Sequence, residues 1–165
     1  MHSKTVSSTG INEPSLEQVI ASLEHFDGKY KRAEVDLALA QREQIIPRLI
    51  RILEDVLAEP AAYAARKDYS GHIYAIMLLG HFGEKRAHRL ITQLAALPDD
   101  LPHSLFGDII TEDLAVILLR TSGGSFTDIE ELAQNTSADE YCRGAAAKAI
   151  AYSVADGVLT RQDAL

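Results

Sequence analysis

Three times in this sequence a helical stretch rich in apolar residues runs into glycine, and a second helical segment follows. His72 to Phe82, read as "HIYAIMLLGHF", is apolar almost all round. Gly83 ends it, and Glu84 to Leu97 carries Ala87, Leu90, Ile91 and Leu94 at helical spacing. Asp108 to Arg120, then Gly123-Gly124, then Phe126 to Gln134 repeats the pattern. Asp139 to Ala155, Gly157 and the segment from Thr160 begin it a third time. A helix apolar on most sides must be covered on most sides. One pair cannot do that alone, but stacked pairs make a continuous core. Gly83 and Gly124 lie 41 positions apart, Gly124 and Gly157 lie 33 apart, lengths suited to two-helix solenoid repeats. The segment "PDDLPHS" would supply an insertion that stretches the longer interval.

The front of the chain is helical too. Ser15 with Gln18 makes a capping-box start after Pro14, and a helix should run to Phe26, where Asp27-Gly28 turns the chain. A further helix is expected from Lys31 to Glu43. Beyond it Ile45, Ile46, Leu49, Ile50, Leu53, Val56 and Leu57 form one apolar stripe, with Arg48, Arg51, Glu54 and Asp55 opposite. Pro47 removes a backbone donor and disfavours helix at Ile46, so it is placed in the first turn of a new helix, ending before Pro60. No strand-like alternation occurs, and Ala and Leu dominate, which favours helix. The expectation is an all-α fold, an α–α superhelix of HEAT-like helical repeats with about nine helices joined by short connections. It should form a single domain over 14–165 after a disordered tail over 1–13.

Charge narrows the function classes. The net charge is −8, against the Lys and Arg excess that phosphate binding demands, so no nucleic-acid partner is expected. The same balance argues against an anionic membrane surface. "GEKRAHR" (Gly83 to Arg89) is the one basic run, short and without aromatics, and reads as a solvated helix start. The polar N-terminus lacks the apolar core of a secretory signal, and no run nears the roughly 18 apolar residues of a membrane span. Cys142 is the only cysteine, which fits a reducing, cytoplasmic setting.

In this order, "IIPRLIRIL", "HIYAIMLLGHF", "GDIITEDLAVILL" and "YCRGAAAKAIAYSVADGVLTRQDAL" resemble the bacterial HEAT-like family catalogued as domain of unknown function 1186, over roughly residues 29–165. No single motif carries the likeness; their order and spacing do. The resemblance implies an α–α superhelical domain with no established activity. Longer relatives often end in a Cys/His-rich SEC-C metal-binding motif. This sequence has none, so their zinc chemistry is not carried over.

Few constellations suggest chemistry. His81, Glu84 and His88 would align on one continuous helix, but Gly83 interrupts it, and zinc needs three or four ligands converging at about 2 Å. No metal or other cofactor is expected. Cys142 has no base nearby in sequence and reads as a buried thiol rather than a nucleophile. The glycines resemble no phosphate loop. Asp68, Tyr69, His72 and Tyr74 cluster at the entry to the buried helix. Asp108, Glu112 and Asp113 crowd the start of the next one. On a continuous helix Asp113 would fall inside the apolar arc, and an unpaired charge there would cost several kcal/mol. Asp108 would cap that helix, and Arg48, Arg86 or Arg143 would neutralise the others. No catalytic residue is assigned. The expected role is a non-catalytic protein–protein interaction module with a protein partner. The rival is a small-ligand binder or enzyme with a polar pocket near Asp108 and Glu112. The candidate binding surface is Asp108, Thr111, Glu112, His72 and Tyr74.

Overall fold

The computed structural model describes residues 14–163; the tail expected over 1–13 lies outside them. The chain opens with α1 (Leu16–Glu24). Ser15 Oγ accepts from Gln18 N, and the Gln18 side chain accepts from Ser15 N, so the capping box forms as read. Next come α2 (Arg32–Ala40) and α3 (Arg42–Ala58). The break falls at Gln41, and Pro47 lies inside α3 rather than in its first turn, correcting the expectation. Pro47 is exposed while Ile45, Ile46 and Leu49 are buried. The carbonyl that loses its donor is that of Glu43, itself exposed, where water can replace the missing bond.

α3 ends before Pro60 as expected, and the proline also starts the next helix: α4 (Pro60–Ala65) carries it at its first position, where the missing N–H costs nothing. Then follows α5 (Gly71–Phe82), closed by Gly83 in the left-handed region at φ 62°. A 3-10 turn over Lys85–Ala87 leads into α6 (His88–Ala95). "PDDLPHS" is not a plain insertion loop; most of it enters α7 (Leu101–Phe106).

The segment Asp108 to Arg120 is not one helix. It is divided into α8 (Ile109–Glu112) and α9 (Leu114–Thr121) by Asp113 at φ −114°. The interruption is slight: Asp113 N still donates to Ile109 O and Ile117 N to Asp113 O, each at 3.0 Å. Leu114, Ala115, Ile117 and Leu118 turn inward, and Asp113 is only half-buried. The full burial expected of its charge therefore does not occur. After α10 (Thr127–Gln134), Asp139 accepts from Tyr141 N and Cys142 N and caps α11 (Glu140–Ala155). The helix expected from Thr160 does not form within the described residues, where the chain only turns, although Thr160 and Asp163 exchange hydrogen bonds.

Eleven α-helices and no strand are present among the described residues; one isolated bridge joins His25 and Tyr69. The fold is all-α. α5 packs between α3 and α9, and α9 packs on α11. α3 touches α6, α6 touches α10, and α10 lies along α11. Successive pairs are therefore spatial neighbours. Leu49, Leu53, Leu79, Ile91, Leu94, Leu114 and Leu118 fill the shared core with essentially no exposure, the contiguous interior that stacked pairs require.

Candidate functional site

One cleft gathers residues from three separate stretches: the turn after α1, the α4–α5 connection and α7. Phe26 N donates to Asp68 O and Ser70 N donates to Glu24 O, each at 2.9 Å, so the first two stretches are tied backbone to backbone. Gly71 lets them close. A Cβ there would stand 2.6 Å from Tyr69 Oη and 2.9 Å from Glu24 Cγ. The Tyr69 hydroxyl donates to Glu24 Oε1 at 3.1 Å, and burial followed by the Glu24 charge drives its pKa well upward. Lys31 N donates to Tyr74 Oη at 3.0 Å, anchoring the next turn.

The cleft encloses about 320 Å³, and its lining includes Tyr63, Arg66, Tyr69, His72, Tyr74 and Leu105. That volume lies at the small end of ligand cavities. Tyr63 and Tyr69 meet edge to face at 5.2 Å. Arg66 lies over both rings, 4.2 Å from the Tyr69 centroid and 5.5 Å from that of Tyr63. His72 stacks parallel to Tyr69 at 5.6 Å and is 5% exposed. Its Nε2 is 2.7 Å from Leu105 O. A carbonyl only accepts, so Nε2 carries the proton and donates. In the neutral ring Nδ1 is then a bare acceptor, and it is buried with no partner among the described residues. Desolvation holds the His72 pKa below its ordinary value, outweighing the Leu105 carbonyl, which favours the charged form.

The structure divides the expected binding surface. His72 and Tyr74 line this cleft. Asp108, Thr111 and Glu112 are exposed on the α7–α8 segment. Asp108 precedes α8 without a side-chain cap, correcting its expected role; its carbonyl accepts from Thr111 Oγ1, Thr111 N and Glu112 N. The expected arginine partners are engaged elsewhere or differently. Arg48 pairs with Glu17 and Arg86 with Glu84, and Arg143 has a buried Nε without a partner among the described residues. Asp113 instead borders a small pocket of about 150 Å³ with Met77, His81 and Arg120. His88, taken at the sequence level with His81 and Glu84, is buried. Its Nδ1 lies 2.9 Å from Thr121 Oγ1, whose proton goes to Ile117 O. Burial pushes the Cys142 thiol up to about 12, far from the range of an activated nucleophile.

A second feature runs along α3, α6 and α10. One groove of about 480 Å³ between α3 and α6 includes Ile50, Leu57, Arg89 and Gln93. Another, of about 260 Å³ between α6 and α10, includes Arg89, Gln93, Asp128 and Glu131. Arg89 and Gln93, one turn apart on α6, border both. The sequence reading did not single out Arg66 or Arg89. The spacing Tyr63-x2-Arg66-x2-Tyr69 was an available signal for a stacked arginine. Nothing in the sequence shows that α3 and α10 flank α6.

A family model described as a protein of unknown function (DUF1186) matches residues 15–165. The chain belongs to this family. The match reaches further toward the N-terminus than the ordered motifs did and takes in α1. An uncharacterized protein of Chlamydia trachomatis serovar D is 31% identical over 150 residues, 91% of this chain and 59% of that protein. An uncharacterized protein of Chlamydia muridarum is also 31% identical, over 91% of this chain and 60% of its own length. The chain thus spans about three-fifths of these curated relatives. No solved structure matches it. No described helix is long and apolar enough to cross a membrane.

Proposed function

We propose that this DUF1186 domain, residues 14–165, is a non-catalytic protein–protein interaction module, built as a HEAT-like superhelix and working in the cytoplasm. The observation that carries this reading is the pair of grooves sharing Arg89 and Gln93 across α3, α6 and α10. Stacked helices present such extended surfaces, and here apolar Ile50 and Leu57 lie beside charges of both signs. Interfaces combine an apolar centre with a charged rim in this way. The raised pKa of Cys142 gives the reading further support, since it leaves the chain's one thiol unfit for nucleophilic work. The test compares proteins captured by the wild type with those captured by Arg89→Glu/Gln93→Glu, both checked for equal thermal stability. A set of partners lost selectively by the variant supports the reading. Identical capture by both proteins removes this face as the interface.

A second reading is small-ligand binding at the polar surface that includes His72 and Tyr74, with Asp108, Thr111 and Glu112 on the neighbouring α7–α8 segment. The cleft with its unpartnered, buried His72 Nδ1 favours it. Calorimetric titration with a panel of small metabolites tests it; no saturable heat from any of them would count against it.

A further inference from the structure

The geometry points to the Tyr63–Tyr69 cleft as a binding site for a small aromatic anion, a planar ring bearing a phosphate or carboxylate, received by Arg66 and Lys67. This inference rests on the second reading above and is independent of the first. Arg66 is clamped by two tyrosine rings, at 4.2 and 5.5 Å, yet its guanidinium makes no hydrogen bond among the described residues. Its one ionic contact is Asp68 at a loose 3.9 Å. A planar guanidinium held by stacking keeps its fork of N–H donors available for a carboxylate or phosphate. Lys67 lines the cleft beside it and forms no ion pair among the described residues. Of the lining residues, none is acidic, in a chain whose net charge is −8. Of the neighbouring acids, Glu24 accepts from Tyr69, and Asp68, largely exposed, makes only the loose contact with Arg66.

The aromatic half of the ligand is argued from Phe26, 54% exposed at this cleft, and from Tyr74, whose ring stacks with Tyr30 at 6.4 Å. An exposed Phe26 ring beside a half-buried Tyr74 ring at a cationic pocket offers a stacking surface.

The experiment is calorimetric titration of the whole chain with adenosine 5′-monophosphate, 4-hydroxybenzoate, adenosine and inorganic phosphate. Saturable binding of either aromatic anion, with adenosine and inorganic phosphate each at least about tenfold weaker, is the expected result. A preference for the monophosphate identifies a nucleotide-like ligand; a preference for the carboxylate identifies an aromatic acid. Arg66→Gln should lose about tenfold or more in affinity, Arg66→Lys less, and the distant Arg51→Gln nothing. Binding of adenosine as tight as that of its monophosphate, or an unchanged affinity in Arg66→Gln, overturns the inference but leaves a ligand cleft standing. Absence of binding by all four probes overturns the inference and counts against the second reading as well.

Discussion

Gly80 on α5 faces Ile117 on α9 so closely that an added Cβ would stand 2.7 Å from Ile117 Cγ1. This close approach of α5 and α9 explains a glycine in the middle of a buried helix. Gly80→Ala gains up to about 1 kcal/mol in helix propensity but loses about 1–3 kcal/mol to overpacking. The second effect wins, so urea denaturation should show a net loss. Gly144 in α11 has nothing within 4 Å of its added Cβ. Gly144→Ala should therefore stabilise the chain by about 0.5–1 kcal/mol. The same substitution has opposite signs at the two sites; equal signs would contradict this packing.

Pro47 lies inside α3 and is exposed. Pro47→Ala restores an N–H to the ladder and should raise stability by about 1 kcal/mol or more, part of the roughly 3 kcal/mol difference in helix preference being offset by a freer unfolded chain. A lower midpoint in urea would mean that the proline ring contributes packing that its exposure denies.

Asp108 and Glu112 are exposed and without ion-pair partners among the described residues. Asp108→Ala and Glu112→Ala should each change stability by no more than about 0.5 kcal/mol. A loss of several kcal/mol in either would show a buried, paired carboxylate instead.

His72 and His88 have pKa values held below the ordinary histidine value, chiefly by desolvation; Asp128 pulls that of His88 partly back. With the folded pKa depressed, the unfolded chain binds more protons in the histidine window. Stability is then full above about pH 7 and falls as pH drops through about 6.5. This window lies above that of Glu34 and Glu84, whose lowered pKa values matter only near and below their ordinary 4.5. Urea midpoints measured between about pH 7.5 and 5.5 should decline in the wild type and decline less in His72→Gln. An identical slope in both proteins would show that His72 does not carry the effect.

The helical character of nearly every segment was legible in the sequence, because capping residues and apolar spacing act within one or two turns. Ser15 with Gln18, Gly83 after Phe82 and Asp139 before Glu140 all terminate helices as their chemistry dictates. The prolines were legible only in part. α3 ends before Pro60 as expected, and the same residue opens α4; Pro47, expected in a first turn, sits inside α3. A proline forbids a donor and fixes one angle, and which side of it the helix lies on depends on what the neighbouring turns pack against. The acids at 108–113 were misjudged for a related reason. A helical wheel gives the arc a residue falls on but not whether a neighbouring element covers it, and Asp113 is left half-buried.

From the sequence alone come the all-helical class, the glycine turns between paired helices and the family. These follow from residue chemistry acting over a few positions and from the order of whole segments. Only the tertiary structure decided which side chains share a site. Arg66, His72 and Leu105 meet because α4 and α5 both pack on α7, and Arg89 borders two grooves because α6 lies between α3 and α10. Periodicity tells a helix which face to bury, but the partner that covers it is chosen by packing between residues far apart in the chain.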